Sequence, residues 1–579
     1  MKNSLKLTLL LILLITLLCC FVACSETPSD ASTSSSTQGE DIDKKPVGDL
    51  GYTLSSDATY YIVSGIGTCQ GINIVIPDTY QGKPVKEIGV RAFENCKRLI
   101  SVTIPNSITS IGDSAFYGCS NLVEVINHSQ LDITKGNTRY GFVGRYALYV
   151  HNGESKIQNV NNFLFITSAQ GSHYLLSYVG KDINITLPTS YHDENYTIRS
   201  YAFSDNDSLT SVVIPDSIKY IGYFMFYNCP SLTNVIIPDS VEVIDESAFE
   251  GCSSLTSLTI PDSVISIGDS AFYGCSSLAS VTIPDSVISI GDSAFYGCSS
   301  LASVIIPDGV TNIGKYAFSG CSNLTTVIIP EGVKSIENAA FRDCSSLTTV
   351  SIPEGVKSIG NAAFRDCSHL TDVTIPDSVI SIGDFALYGC SSLASVIIPD
   401  GVTKIGKYAF SGCSNLTSLT IPNSVNIIGD SAFRNCSSLT NMTFSDSVIS
   451  IERYVFYNCS SLTSIIIPSS ATTIGDYAFQ YCSSLTSVII PEGVKTIGNS
   501  AFRNCSSLTT VVIPDSVTNI GCFAFTSCKN LTSVTFVNTE GWRAEKLTIF
   551  SAHLADTATA AEYLKSKYSD YVWTRSQSK

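Results

Sequence analysis

Residues 260–282 read IPDSVISIGDSAFYGCSSLASVT, and residues 283–305 repeat them almost letter for letter. A fixed 23-residue period marks a stacked array, in which each unit buries its apolar face against its neighbours. Within one unit the positions divide by chemistry. Leu258 and Ile260 alternate with Ser257 and Thr259, as in a strand with one face in a core. Pro261 has no N–H to give a ladder and ends that strand. Val264 and Ile267 make a second short β segment, and Gly268 turns the chain. Asp269 or Ser270 is placed to cap a short helical turn that carries Ala271 and Phe272 inward. Cys275 closes the turn and Leu278 opens the next unit.

Outward from this unit the phase holds from Ala202-Phe203 to Phe525. Prolines recur at the same position from Pro215 to Pro422, Ser445 breaks the series, and Pro468, Pro491 and Pro514 resume it. Toward the N-terminus, residues 105–119 form a regular unit, and the first unit is expanded by Gln81-Gly82-Lys83-Pro84. Residues 127–198 lose the phase. They are rich in Tyr, Asn and Gly and hold His128, His151, His173 and His192. Phe163-Leu164-Phe165-Ile166 and Tyr174-Leu175-Leu176-Ser177-Tyr178 read as strands of a small β element that interrupts the array or projects from it. After Phe536 the repeat stops. Asp556 is an N-cap for a short helix, and the segment is expected to cover the last coil's core. Sugar stacking on Trp542 and Trp573 is the competing reading.

The N-terminus reads as an export signal, with Lys2 and Lys6 before an apolar run over residues 7–18. Phe21-Val22-Ala23-Cys24 resembles the lipobox of bacterial lipoproteins, with Phe21 where that family usually has Leu. The resemblance implies a mature chain that begins at Cys24 and carries diacylglycerol on its sulfur. An uncleaved signal anchor is the alternative, since the apolar run approaches membrane-spanning length. Residues 25–48 are rich in Ser, Thr and Asp and cannot bury enough surface to fold, so they form a tether. The expected divisions are residues 1–23 signal, 24–50 tether, 51–126 cap and first repeats, 127–200 insert, 201–537 regular array and 538–579 cap.

The net charge of −16 argues against nucleic acid and against docking on anionic lipid through protein charge. Sixteen cysteines fall in phase: Cys96, Cys119 and every twenty-third residue from Cys229 to Cys528. A secreted chain could pair them, and a metal site would need C-x-x-C spacing that is absent. The simpler reading is a buried ladder of reduced thiols acting as small hydrophobes, with Asn206 filling one slot; Cys69 and Cys522 are out of phase. Columns of Asp262-type and Asp269-type residues could bind Ca²⁺ between coils, or simply terminate and cap turns. No nucleophile–base pair, zinc motif or phosphate loop is visible, and no cofactor or metal is expected.

The motif L-x-x-V-x-I-P-x-x-V-x-x-I-G-x-x-A-F-x-x-C resembles the BspA-type leucine-rich repeats of bacterial surface proteins, over residues 52–536. The resemblance implies a right-handed β-rich solenoid with parallel sheets. It also implies an exported, membrane-anchored surface adhesin, not an enzyme, that binds a host or microbial protein or glycan. The alternatives are an envelope enzyme with its site in residues 127–200, and a passive spacer. Strand alternation puts Ser257, Thr259, Ser280, Thr282, Ser303, Ile305, Thr326 and Ile328 on one outer face, which is either the ligand surface or simply a run of good strand residues. Some seventeen coils at strand spacing give a strip about 80 Å long.

Overall fold

The computed structural model describes residues 49–68, 71–444 and 446–576. The export signal, Cys24, the tether up to residue 48, Cys69 and Ser445 lie outside the described residues; Leu50, expected at the end of the tether, is buried in the core. The rest folds into about 21 β-solenoid turns in all. The count exceeds the sequence-based one because coils without the repeat signature also join the stack.

Each regular coil contributes two short strands to two parallel sheets. Ser257–Thr259 pairs with Ser280–Thr282, then Ser303–Ile305, then Thr326–Ile328, each residue opposite its repeat equivalent. Ser266–Ile267 pairs in the same way with Ser289–Ile290. Between the sheets Leu258, Val264, Ile267, Ala271, Phe272, Cys275 and Leu278 are buried. The phenylalanines form a ladder: Phe272 stacks on Phe249 at 5.4 Å and on Phe295 at 5.1 Å, within 12° of parallel.

The expected helical turn after Gly268 takes another form. Ser270 has φ 53°, a left-handed residue that interrupts any helix. Ala271 and Tyr273 donate to Gly268 and Ser270 in their own coil, whereas Ser270, Phe272 and Gly274 donate to Asp292, Ala294 and Tyr296 in the next. An α-helix would send these N–H groups to its own carbonyls and leave nothing to hold the next coil. The turn edge therefore acts as a third ladder. Asp269 caps its neighbour, accepting from the Asp292 N–H at 2.7 Å, and Asp292 does the same for Lys315 at 2.7 Å.

Cys119 and the in-phase cysteines from Cys229 to Cys528 are buried and form no disulfide. Each buried thiol also has a polar task beyond filling space. Cys275 Sγ donates to the Phe249 carbonyl at 3.2 Å, and Cys298 to Phe272 at 3.2 Å. Burial pushes the Cys275 and Cys321 thiols up to about 12. At the slot that lacks cysteine, Asn206 Oδ1 accepts from the Leu209 N–H at 3.0 Å.

Residues 127–200 divide into two parts with different roles. The first part closes a coil. Tyr149–His151 pairs in parallel with Glu124–Asn127, and Ile133, Val143 and Ala147 enter the core there. The second part is a four-stranded sheet of Gln158–Val160, Phe163–Thr167, His173–Tyr178 and Tyr196–Ile198. Its plan repeats the N-terminus. Gly51–Leu54 is antiparallel to Tyr61–Gly65, which is parallel to Lys83–Ile88. Likewise Phe163–Thr167 is antiparallel to His173–Tyr178, which is parallel to Tyr196–Ile198.

The core divides at the same place. One cluster runs from Leu50 to Ala147 and another from Phe163 to Trp573. The described chain is thus two solenoids, each opening with the same hairpin cap. The inner cap is apolar on both faces. Phe163, Phe165 and Leu175 seal the second core, while Leu164, Ile166 and Leu176 pack with Ile100, Val123 and Ile157.

At the far end the helices Ser551–Ala555 and Thr557–Glu562 lie between the strand Leu547–Thr548 and the last strand, Trp573–Arg575, which pairs with Asn519–Ile520. Asp556 caps the second helix by accepting from the Thr559 N–H at 2.7 Å. Trp542 and Trp573 are buried, and their Nε1 atoms donate to Asn538 O and Tyr568 O. Sugar stacking on these indoles is thereby excluded.

Candidate functional site

The residues singled out on the outer strand face lie in two adjacent columns. Leu258, Val281, Val304 and Val327 are buried between them. Ser257, Thr259, Ser280 and Thr282 are exposed; Ser303, Ile305, Thr326 and Ile328 are half-buried. The parallel register stacks Ser257, Ser280, Ser303 and Thr326 into one column of hydroxyls, and Thr259, Thr282, Ile305 and Ile328 into a second column that turns aliphatic at Ile305.

Neighbouring hydroxyls differ in how they are engaged. Thr325, Thr348 and Thr371 donate to the backbone of the preceding coil, to Ala302, Thr325 and Thr348 in turn, at 3.1 to 3.2 Å. Among the described residues, Ser257, Ser280, Thr282, Ser303 and Thr326 have no such partner. From Thr325 onward that column holds the coils together, whereas beside Ser280 and Ser303 it carries Ala279 and Ala302; the column next to it keeps its donors and acceptors for solvent or a ligand.

The strip changes character along the solenoid. Its ladder is interrupted between Asp372–Thr374 and Ser418–Thr420. Beyond the interruption the outward position carries Ile466, Ile489 and Val512, of which the isoleucines are 68% and 65% exposed. Sequence reasoning followed the outer face only to the rungs of Ser351 and Asp372 and missed this aliphatic stretch. Counting the same position forward by 23 residues finds it.

Two of the histidines of residues 127–198, His151 and His173, are tied into the structure. Glu124 is fully buried at the end of the first solenoid. Its carboxylate accepts from Ser155 Oγ at 2.6 Å and from the Lys156 N–H, and lies 3.1 Å from His151 Nε2. This latch holds the segment that leads into the inner cap. His173 Nδ1 lies 2.8 Å from Thr167 Oγ1, and its Nε2 lies 3.3 Å from Glu194. Among the described residues, no three His, Cys, Asp or Glu side chains are grouped to hold a metal ion. Asp269, Asp292, Asp384 and Asp476 are engaged as caps between coils, and Asp430 lies 3.5 Å from Lys407 Nζ.

A family model described as BspA type leucine rich repeat region matches in six copies, over residues 68–176, 177–302, 242–371, 288–417, 357–486 and 449–543. A leucine-rich repeat protein from Bacteroides ovatus is similar at 32% identity, with a TM-score of 0.53 over 66% of this chain and 94% of that one. A leucine rich cell surface protein from Faecalibacterium prausnitzii is 30% identical over 67% of this chain and 96% of that one, with a TM-score of 0.41. No curated protein matches. Repeats of this type are typically non-catalytic, generally belong to cell-surface proteins and bind protein partners. Among the described residues no helix is long and apolar enough to cross a membrane.

Proposed function

The chain belongs to the BspA type leucine rich repeat family, and we propose that it is an exported adhesin whose outer strand face takes an extended protein partner from a host or another microbe. In this reading residues 1–23 direct export, Cys24 carries the lipid and residues 25–48 hold the folded part, whose core begins at Leu50, away from the membrane. The observation that supports the face most is the contrast between its unengaged hydroxyls and the bonded Thr325, Thr348 and Thr371 column beside it. A strip of small hydroxyls and β-branched side chains offers many weak contacts, and multivalency along a long ligand supplies avidity. The aliphatic Ile466, Ile489 and Val512 stretch adds apolar area that a partner can bury.

The test is a pull-down of host and bacterial surface proteins on the exported chain, repeated with Thr282→Lys, Ile305→Lys and Ile328→Lys combined. The buried Val281, Val304 and Val327 remain, so the coil core is untouched. Loss of the captured protein with an unchanged melting curve supports the face. Capture that survives in a folded variant rules it out.

A further inference from the structure

A cleft of about 550 Å³ lies where the two solenoids meet. The same repeat position lines it from both sides. Asn95 of the first solenoid follows Phe93 by two residues, as Asp205 and Asn228 of the second follow Phe203 and Phe226. Their φ values are 60°, 51° and 53°, in the left-handed region that Asn and Asp tolerate better than most residues. Asn228 Nδ2 donates to Asp205 Oδ1 at 2.8 Å, and Arg98 Nε stands 3.9 Å from Asp205 Oδ2. Tyr227 and the exposed Asp207 complete the wall.

The two sides are fastened to each other, so the cleft is preformed. Asn121 Nδ2 donates to both Lys97 O and Ser200 O. Arg199 donates to Ser120 O at 3.2 Å. The Lys97 ammonium sits 5.2 Å from the Phe224 ring centroid and 5.5 Å from that of Tyr201.

We propose that this cleft binds a neutral di- or trisaccharide, the end of a glycan. Its volume falls in the range of about 300–1,000 Å³ typical of ligand clefts, large for a single amino acid. The charges oppose one another: Arg98 faces Asp205, and Lys97 lies over aromatic rings, so no field of one sign is left for a polyanion or a polycation. Carboxylate, amide and guanidinium groups each offer two polar atoms in one plane, a match for adjacent hydroxyls on a sugar ring. The Tyr227 ring supplies an apolar surface for the sugar's C–H groups. The site is independent of the strand face.

The experiment titrates lactose, cellobiose, maltotriose and N,N′-diacetylchitobiose into the full exported chain, read by saturation-transfer NMR and calorimetry. At least one sugar is expected to bind saturably. Asp205→Ala and Asn95→Ala weaken it at least about tenfold, the loss of one or two hydrogen bonds to a desolvated ligand. Asp207→Ala, at an exposed position that cannot disturb packing, also weakens it. The strand-face triple variant binds the sugar as the parent does, which separates this cleft from the protein-binding face. The proposal is overturned if no sugar binds, if the cleft variants bind as the parent does, or if glycine and triglycine bind in the sugars' place.

Discussion

Phe318→Ala in the middle of the second solenoid tests whether the ring ladder holds neighbouring coils together. Phe318 is fully buried and stacks at 5.2 Å on Phe295 and 5.5 Å on Phe341. A buried Phe→Ala change costs about 3–5 kcal/mol, because the cavity collapses only in part. In an array where each coil touches only its neighbours, that loss stays local. The coil carrying Cys321 and the one carrying Cys344 should open more often, by about two to three and a half orders of magnitude. Their thiols report the opening. Both are buried in the folded chain, and the Cys321 thiol is held at about 12 by burial. The assay is pulse alkylation at neutral pH with peptide-resolved mass spectrometry. Cys321 and Cys344 are expected to label fast while Cys482 and Cys505 keep the parent rate. The natural Leu387 in the same ladder sets a limit, so Phe318→Leu should cost clearly less than Phe318→Ala. Uniform labelling along the array, or Cys321 as protected as in the parent, would refute the ladder argument.

The raised thiols also predict a pH dependence. A group whose folded value lies above its unfolded one stabilises fully below the unfolded value and loses that contribution as pH rises. With Cys275 and Cys321 at about 12 against an ordinary 9.0, stability should fall from about pH 9 upward, read as a lower urea midpoint. A midpoint that does not move between pH 8 and 10.5 contradicts this. Glu124→Ala leaves Ser155, the Lys156 N–H and His151 without their acceptor and should cost about 2–4 kcal/mol. Proteolysis should then cut near residues 153–157, and a parent-like digestion pattern counts against the latch. Cys24→Ala should abolish labelling by a fatty-acid analogue; equal labelling of both chains removes the lipid anchor.

The sequence alone determined the array, its period and its buried positions, because stacking forces every coil to bury the same places and the code is written more than a dozen times. Leu258, Val264, Ile267, Phe272, Cys275 and Leu278 could be assigned to the core from one unit. Alternation likewise placed Ser257 and Thr259 outside. The turn at Ser270 was not legible, since a left-handed serine leaves no mark in composition and its bonding partners lie in the next coil.

The inner cap was half legible. Ile72-Asn73-Ile74-Val75-Ile76-Pro77 and Ile183-Asn184-Ile185-Thr186-Leu187-Pro188 are nearly the same words, yet the spacing between them is not a multiple of the period. Only the tertiary structure showed two cores, a cap sheet apolar on both faces, and the junction cleft between Asn95 and Asp205. A periodic pattern specifies contacts between neighbouring coils. Contacts between two separate stacks depend on how irregular segments fold back, and no local repeat encodes that.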